Sequence, residues 1–73
     1  MFEVGAFYMT EDWTMGGNVV YECVKREEGF ARFETSWASG RSITRPLKIY
    51  TDGHEEYVVL STYSGIEHRL YAR

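Results

Sequence analysis

The chain is expected to be all-β: a single small domain of six antiparallel strands in meander order, closed into a barrel or strongly rolled sheet. Two observations carry that expectation. Short runs of alternating apolar and polar residues recur about every dozen residues, and nearly every run ends in a glycine-bearing turn. Nowhere does an apolar period near 3.6 persist over three helical turns, and the glycines fall too often for a long helix.

The first strand is expected over about Val4 to Thr10, with Gly5 marking a bend. The segment EDWTMGGN follows, and its Gly16-Gly17-Asn18 reads as a loop. Val19 to Arg26 and Phe30 to Trp37 form the next two strands, joined by Glu27-Glu28-Gly29 as a three-residue hairpin loop. That loop sets Cys23 opposite Phe33, Tyr21 opposite Thr35 and Val19 opposite Trp37, so one face collects the bulky groups. A two-residue loop would move the pairing by one and mix apolar with charged partners. The fourth strand runs from Ile43 to Tyr50 and contains Pro46, which cannot donate to a ladder and so marks an edge or a bulge. Reading Thr51-Asp52-Gly53 as a three-residue loop sets Leu47 opposite Tyr57 in the fifth strand, Glu55 to Tyr63. Ser64-Gly65 then turns into the sixth, Ile66 to Ala72, with Tyr63 opposite Ile66, Val59 opposite Leu70 and Tyr57 opposite Ala72.

Size and composition bound what such a domain can be. At 73 residues there is room for one core, domain 1–73. With one cysteine, Cys23, the chain can form no internal disulfide, and its 12 aromatic residues must supply the packing. The lone thiol, the lack of a long apolar run and the lack of a basic-then-apolar N-terminus together predict a cytoplasmic protein with no membrane association. The net charge of −3 argues against a nonspecific nucleic-acid coat. Residues 1–40 carry a net −4 and residues 41–73 a net +1, so the acidity sits in the N-terminal half.

Catalytic and metal arrangements are weakly encoded. Cys23 with His54 or His68 would form a nucleophile–base pair only if the thiol left its expected core face. Asp52, His54, Glu55, Glu56 and His68 are carboxylates and imidazoles of the kind that hold divalent metals, but they also suit a solvated hairpin tip. The adjacent Glu55 and Glu56 point to opposite faces of a strand, and no glycine-rich phosphate loop is present. The expectation is a protein that is not an enzyme and takes no cofactor or metal.

The registers leave a surplus of apolar groups on the reverse face of the last three strands. Pro46, Val58, Leu60 and Tyr71 fall there, rimmed by Lys48, Arg69 and Arg73. Exposed apolar clusters with an arginine rim mark interaction sites, so Pro46, Val58, Leu60, Arg69 and Tyr71 form the expected partner-binding surface. Barrel closure or a one-residue register change would instead bury that face. An alternative ligand site for a nucleotide or short nucleic acid draws on Trp13, Tyr50, Arg45 and Arg69, with Tyr8, Tyr71 and Arg41 as further stacking or phosphate groups. A third reading is a homodimer paired through an apolar edge.

Four segments carry a family resemblance: FEVGAFY at the start, VVYECVKR, RPLKIYTDGHEEYV, and TYSGIEHRLYAR at the end. They resemble the small single-domain proteins encoded by phages and prophages, in which a VGxxY start, a VxKR second strand and a KI…DGxEY hairpin recur. The likeness spans nearly the whole chain and departs at WTMGGN and at Arg73. It implies an SH3-like barrel and a mobile-element origin. That origin in turn implies the action common among phage proteins of this size, binding and blocking a host protein, defence nucleases included, or sequestering a nucleotide signal; the family itself is mostly without assigned function. The resemblance assigns no functional residue.

Overall fold

The computed structural model describes residues 1–12, 17–37 and 40–73. Among those residues it is all-β, with eight strands and no helix: β1 (Phe7–Asp12), β2 (Gly17–Glu27), β3 (Phe30–Trp37), β4 (Gly40–Ile43), β5 (Leu47–Lys48), β6 (Tyr50–Asp52), β7 (Glu55–Tyr63) and β8 (Ile66–Tyr71). They form two antiparallel sheets rather than one closed barrel. One has the order β1-β2-β3-β4, with β5 also paired to β3; the other has the order β6-β7-β8. At one seam the chain crosses between them at Ile49, whose N–H donates to the Gly29 carbonyl at 2.9 Å. At the other, the Thr10 hydroxyl on β1 donates to the Arg69 carbonyl on β8 at 3.2 Å and lies 3.3 Å from His68 Nε2.

The expected fourth strand is three separate strands, and Pro46 is the reason. Thr44 still pairs with Phe33, donating its N–H to the Phe33 carbonyl at 2.8 Å and accepting the Phe33 N–H on its hydroxyl at 3.1 Å. Arg45 precedes a proline and Pro46 has no N–H, so the ladder lapses there. It resumes on the same neighbour as Ala31↔Leu47 and Phe30↔Lys48.

Three registers decide which side chains face inward. The β2–β3 turn has two residues, Glu28-Gly29, with Glu27 opposite Phe30 and Gly29 at φ 80°. The expected three-residue loop is therefore corrected. Cys23 nonetheless faces Phe33, because a bulge at Val24 inserts one residue into β2 and offsets the shorter loop. The β6–β7 turn is Gly53-His54, with Gly53 at φ 65° and Asp52 opposite Glu55; Tyr50, not Leu47, stands opposite Tyr57. Ser64-Gly65 has positive φ at both residues, 52° and 77°, as a type I′ turn requires, and Tyr63 faces Ile66 as expected. A second bulge at Leu60 then moves the β7–β8 pairing by one, giving Val58↔Leu70 and Tyr57↔Tyr71 in place of Val59–Leu70 and Tyr57–Ala72. One inserted residue exchanges the two faces of the strand.

Between the sheets lie Phe2, Tyr8, Cys23, Ala31, Phe33, Leu47, Val58 and Leu70, all buried. Phe2 reaches in from ahead of β1 and meets Tyr8 and Phe33 edge-on, with ring centroids 4.9 and 5.0 Å away. Its backbone is held by an ion pair that joins the sheets. Arg26 on β2 donates two hydrogen bonds to the Glu56 carboxylate on β7, at 2.7 and 2.8 Å, and its Nη1 also donates to the Phe2 carbonyl at 3.0 Å. Glu56 accepts the Phe2 N–H at 2.8 Å. The hydrogen bonds from Arg26, reinforced by the Phe2 N–H and opposed by partial burial, pull the Glu56 carboxyl down to about 2. Thr35, the one buried polar residue on β3, donates to the Val20 carbonyl at 2.9 Å.

Candidate functional site: a tyrosine–arginine platform

The face expected to present Pro46, Val58, Leu60 and Tyr71 together does not exist as one surface. Val58 is 0% exposed and packs in the core, since the Leu60 bulge turns it inward. Leu60 is half-buried against that core. Pro46 is exposed on the other sheet's flank, beside a hollow of about 50 Å³ that it lines with Lys25, Glu27, Phe30, Ala31 and Arg32. Only Tyr71 and Arg69 remain together on the exterior of β8.

The alternative set is likewise divided. Trp13 lies outside the described residues, and Arg45 is exposed next to Pro46, between β4 and β5 of the first sheet. Tyr8 is buried: its hydroxyl accepts the Glu3 N–H at 2.8 Å and donates to the Met1 carbonyl at 3.3 Å, so its ring is closed to any ligand. Arg41 pairs with Glu34 at 3.0 Å on the outer face of the five-stranded sheet. Tyr50 and Arg69 do come together, with Tyr57 between them.

What the registers build is a row of three rings. Tyr50↔Tyr57 and Tyr57↔Tyr71 are directly opposed pairs across β6, β7 and β8. Tyr50 and Tyr57 are stacked, with centroids 5.4 Å apart and planes 20° from parallel; Tyr57 and Tyr71 are also 5.4 Å apart, tilted by 40°. Each ring carries a cation. Lys48 Nζ lies 5.3 Å from the Tyr50 centroid, Arg69 Cζ 4.2 Å from Tyr57 and Arg73 Cζ 4.6 Å from Tyr71. Directly opposed aromatic pairs stabilise a sheet by about 0.2–1 kcal/mol each, and an exposed cation over a ring adds about 0.5–1 kcal/mol. The platform is thus ordered before any partner arrives.

Arg69 is the most constrained of the three cations. Its Nη1 donates to the Tyr71 hydroxyl at 3.2 Å, and Nε donates to Glu67 at 2.8 Å. These bonds, to Tyr71 first and then Glu67, raise its pKa further above its already high value. Arg73 grips both oxygens of Glu55 at 3.1–3.2 Å. A groove of about 390 Å³ runs along the β1–β8 seam beside the rings, lined by Met9, Thr10, Arg69, Tyr71 and Arg73. Its exposed carboxylate partners are held weakly, because surface ion pairs contribute little; an incoming acid group can replace them on the guanidiniums.

Tyr57 is the residue missed from sequence, having been placed on the core face. Taking Gly53-His54 as a two-residue turn sets Tyr50 against Tyr57 at once. Cys23 is buried, its thiol pushed up by desolvation and directed 3.8 Å to the Lys25 carbonyl. Among the described residues no group of three or more His, Cys, Asp or Glu stands together as a metal site, and no helix is long and apolar enough to cross a membrane. The chain matches no protein-family model, no curated protein and no solved structure.

Proposed function

We propose that this chain is a small non-catalytic binding protein that docks on a protein partner through the tyrosine–arginine platform. The register-aligned row Tyr50–Tyr57–Tyr71, with Arg69 over its centre, carries this reading. Tyrosine and arginine dominate the energetics of protein interfaces, with methionine enriched beside them, and Met9 lines the adjoining groove at 61% exposure. The rings are already ordered by one another and by their cations, which reduces the entropy lost on docking. The partner's matching chemistry is a carboxylate-bearing segment that exchanges with Glu67 and Glu55 on Arg69 and Arg73. The resemblance to phage-encoded proteins points the search to a host protein.

A nucleotide or short nucleic acid is the second reading, since Tyr50 and Arg69 do share this surface. The faces of Tyr57 and Tyr71 already carry guanidiniums, however, and a base would have to displace them to stack. One experiment separates the two. Wild type, Tyr57→Ser and Arg69→Glu are used as baits in host lysate, and each is titrated with nucleoside triphosphates and oligothymidylate at physiological ionic strength. The expected result is a protein retained by wild type and lost by both variants, with melting temperatures within a few degrees of one another. Oligonucleotide or nucleotide binding that Arg69→Glu abolishes, without a difference in retained protein, overturns the docking proposal in favour of the ligand reading.

A further inference from the structure

We infer that two copies of this chain associate face to face through the outer surface of the five-stranded sheet, related by a two-fold axis that crosses the strands. Alternation along the strands fixes what that face presents. Cys23, Phe33 and Ala31 point into the core, so the pairs Glu22↔Glu34 and Lys25↔Arg32, on either side of the Cys23–Phe33 pair, point outward. They form consecutive rows in the middle of the sheet, one acidic and one basic. Phe7 and Ile43 close the acidic row at its two ends, 66% and 55% exposed, and Val20 and Phe30 are exposed beyond the two rows. Contiguous apolar exposure of this kind marks an interaction surface.

The charges name the occupant. Like charges directly opposed across two strands destabilise a sheet, and here two such pairs of opposite sign lie in adjacent rows. The contacts these groups make lead away from one another: Glu34 to Arg41 at 3.0 Å, Lys25 to Glu27 at 2.9 Å, and Arg32 Nε to the Thr44 carbonyl at 3.1 Å. A partner of a single sign would relieve one row and repel the other. A second copy relieves both. A two-fold axis lying across the strands, between the rows, sets Glu22 against Lys25 of the partner subunit and Glu34 against Arg32 of the partner subunit, and symmetry makes each contact twice. A two-fold axis along the strands would lay each row on itself, so the charges fix the direction of the axis. Stacked sheets stand about 10 Å apart, a gap that these long side chains span. Their aliphatic stems would cover Phe7, Val20 and Ile43. Arg41 and Lys48 lie exposed towards the rim beyond β3, where solvent screens their charge. The tyrosine–arginine platform belongs to the other sheet, so the dimer presents two of them.

Light scattering of the full chain over a concentration series tests this, and is expected to show a dimer that weakens as salt is added. Glu22→Lys and Lys25→Glu should each raise the dissociation constant by at least about tenfold, since each sets like charges against one another across the interface. Mixed in equal amounts, the two variants should regain the wild-type affinity as a heterodimer, because the exchanged charges then oppose one another again. Ile43→Asp, at an exposed position on the edge strand, should weaken the dimer as well. All these variants should melt within a few degrees of wild type. A wild type that stays monomeric at millimolar concentration overturns the inference, as does a dimer that neither charge change weakens, or a mixture that regains nothing. A dimer dissociated by Tyr57→Ser or Arg69→Glu overturns it in favour of association through the platform. Both platform variants should otherwise dimerise as wild type does, so the two surfaces fail or stand separately.

Discussion

Replacing Glu56 by glutamine should remove a defined part of the chain's acid sensitivity, and the size follows from the geometry. Glu56 accepts two hydrogen bonds from Arg26 and one from the Phe2 N–H, and its carboxyl titrates near 2 instead of the usual 4.5. At ~1.4 kcal/mol per pH unit, that fall is worth about 3 kcal/mol at full value. The side chains are 17% exposed for Glu56 and 28% for Arg26, so solvent screening reduces this to about 2 kcal/mol. For 73 residues, total stability is on the order of 4–11 kcal/mol, so this single pair is a large share. The folded-state pKa is depressed, which means the contribution is fully present above about 4.5, declines as the pH falls below it and is gone below about 2. Urea unfolding followed by far-ultraviolet circular dichroism from pH 7 to pH 2 measures it through the change in midpoint at constant slope. Wild type should lose about 2 kcal/mol more than Glu56→Gln across that window, and the variant should be the less stable of the two at pH 7. Glutamine still offers an oxygen to Phe2, so the difference reports the ion pair itself. Parallel pH profiles for the two proteins would refute the assignment of Glu56 and Arg26 as the tie between the sheets.

Other substitutions probe the rest of the frame. Phe2→Ala should cost about 3–5 kcal/mol, because it empties the site between Tyr8 and Phe33; a melting curve near that of wild type would show the segment ahead of β1 to be dispensable. Val58→Asp should abolish cooperative folding, since it buries an unpaired carboxylate at a fully enclosed position, and a folded, monomeric variant would mean that Val58 lies outside the core. The Cys23 thiol, buried and raised in pKa, should resist a soluble disulfide reagent until the protein unfolds; rapid reaction of the native protein contradicts this. Gly65→Val should destabilise by about 1–2 kcal/mol, since φ is 77° there and a β-branched residue disfavours that region.

Much of the site's position was legible locally, and its composition was not. The pairing expected for the last three strands sets Arg69 and Tyr71 on the outward face of β8, and they stand on the platform. Val58 was assigned to the same face because the pairing was counted out from Ser64-Gly65 without a bulge. That count holds only as far as Ser61; the bulge at Leu60 reverses it, which buries Val58 and brings Tyr57 outward beside Tyr71. In the same way, the Cys23–Phe33 pair was correct although the loop assumed for it was not, because Val24 absorbs the difference. A bulge leaves little trace in the residues that form it. It is selected by what the whole strand gains when its apolar side chains reach the common core.

The all-β character, the antiparallel pairing and the two-residue reversal at Ser64-Gly65 belong to the sequence by itself, because turn residues with positive φ and alternating polarity act over a few neighbours. The sequence also determined that no disulfide holds the fold and that aromatic packing must. Only the tertiary structure decided that the strands form two sheets instead of a closed barrel, that Pro46 breaks one strand into three, that Phe2 enters the core, and that Arg26 meets Glu56 from the opposite sheet. Those outcomes join residues far apart in the chain, 54 positions between Phe2 and Glu56 and 59 between Thr10 and Arg69. They depend on which faces can be buried together, a condition that no local pattern expresses.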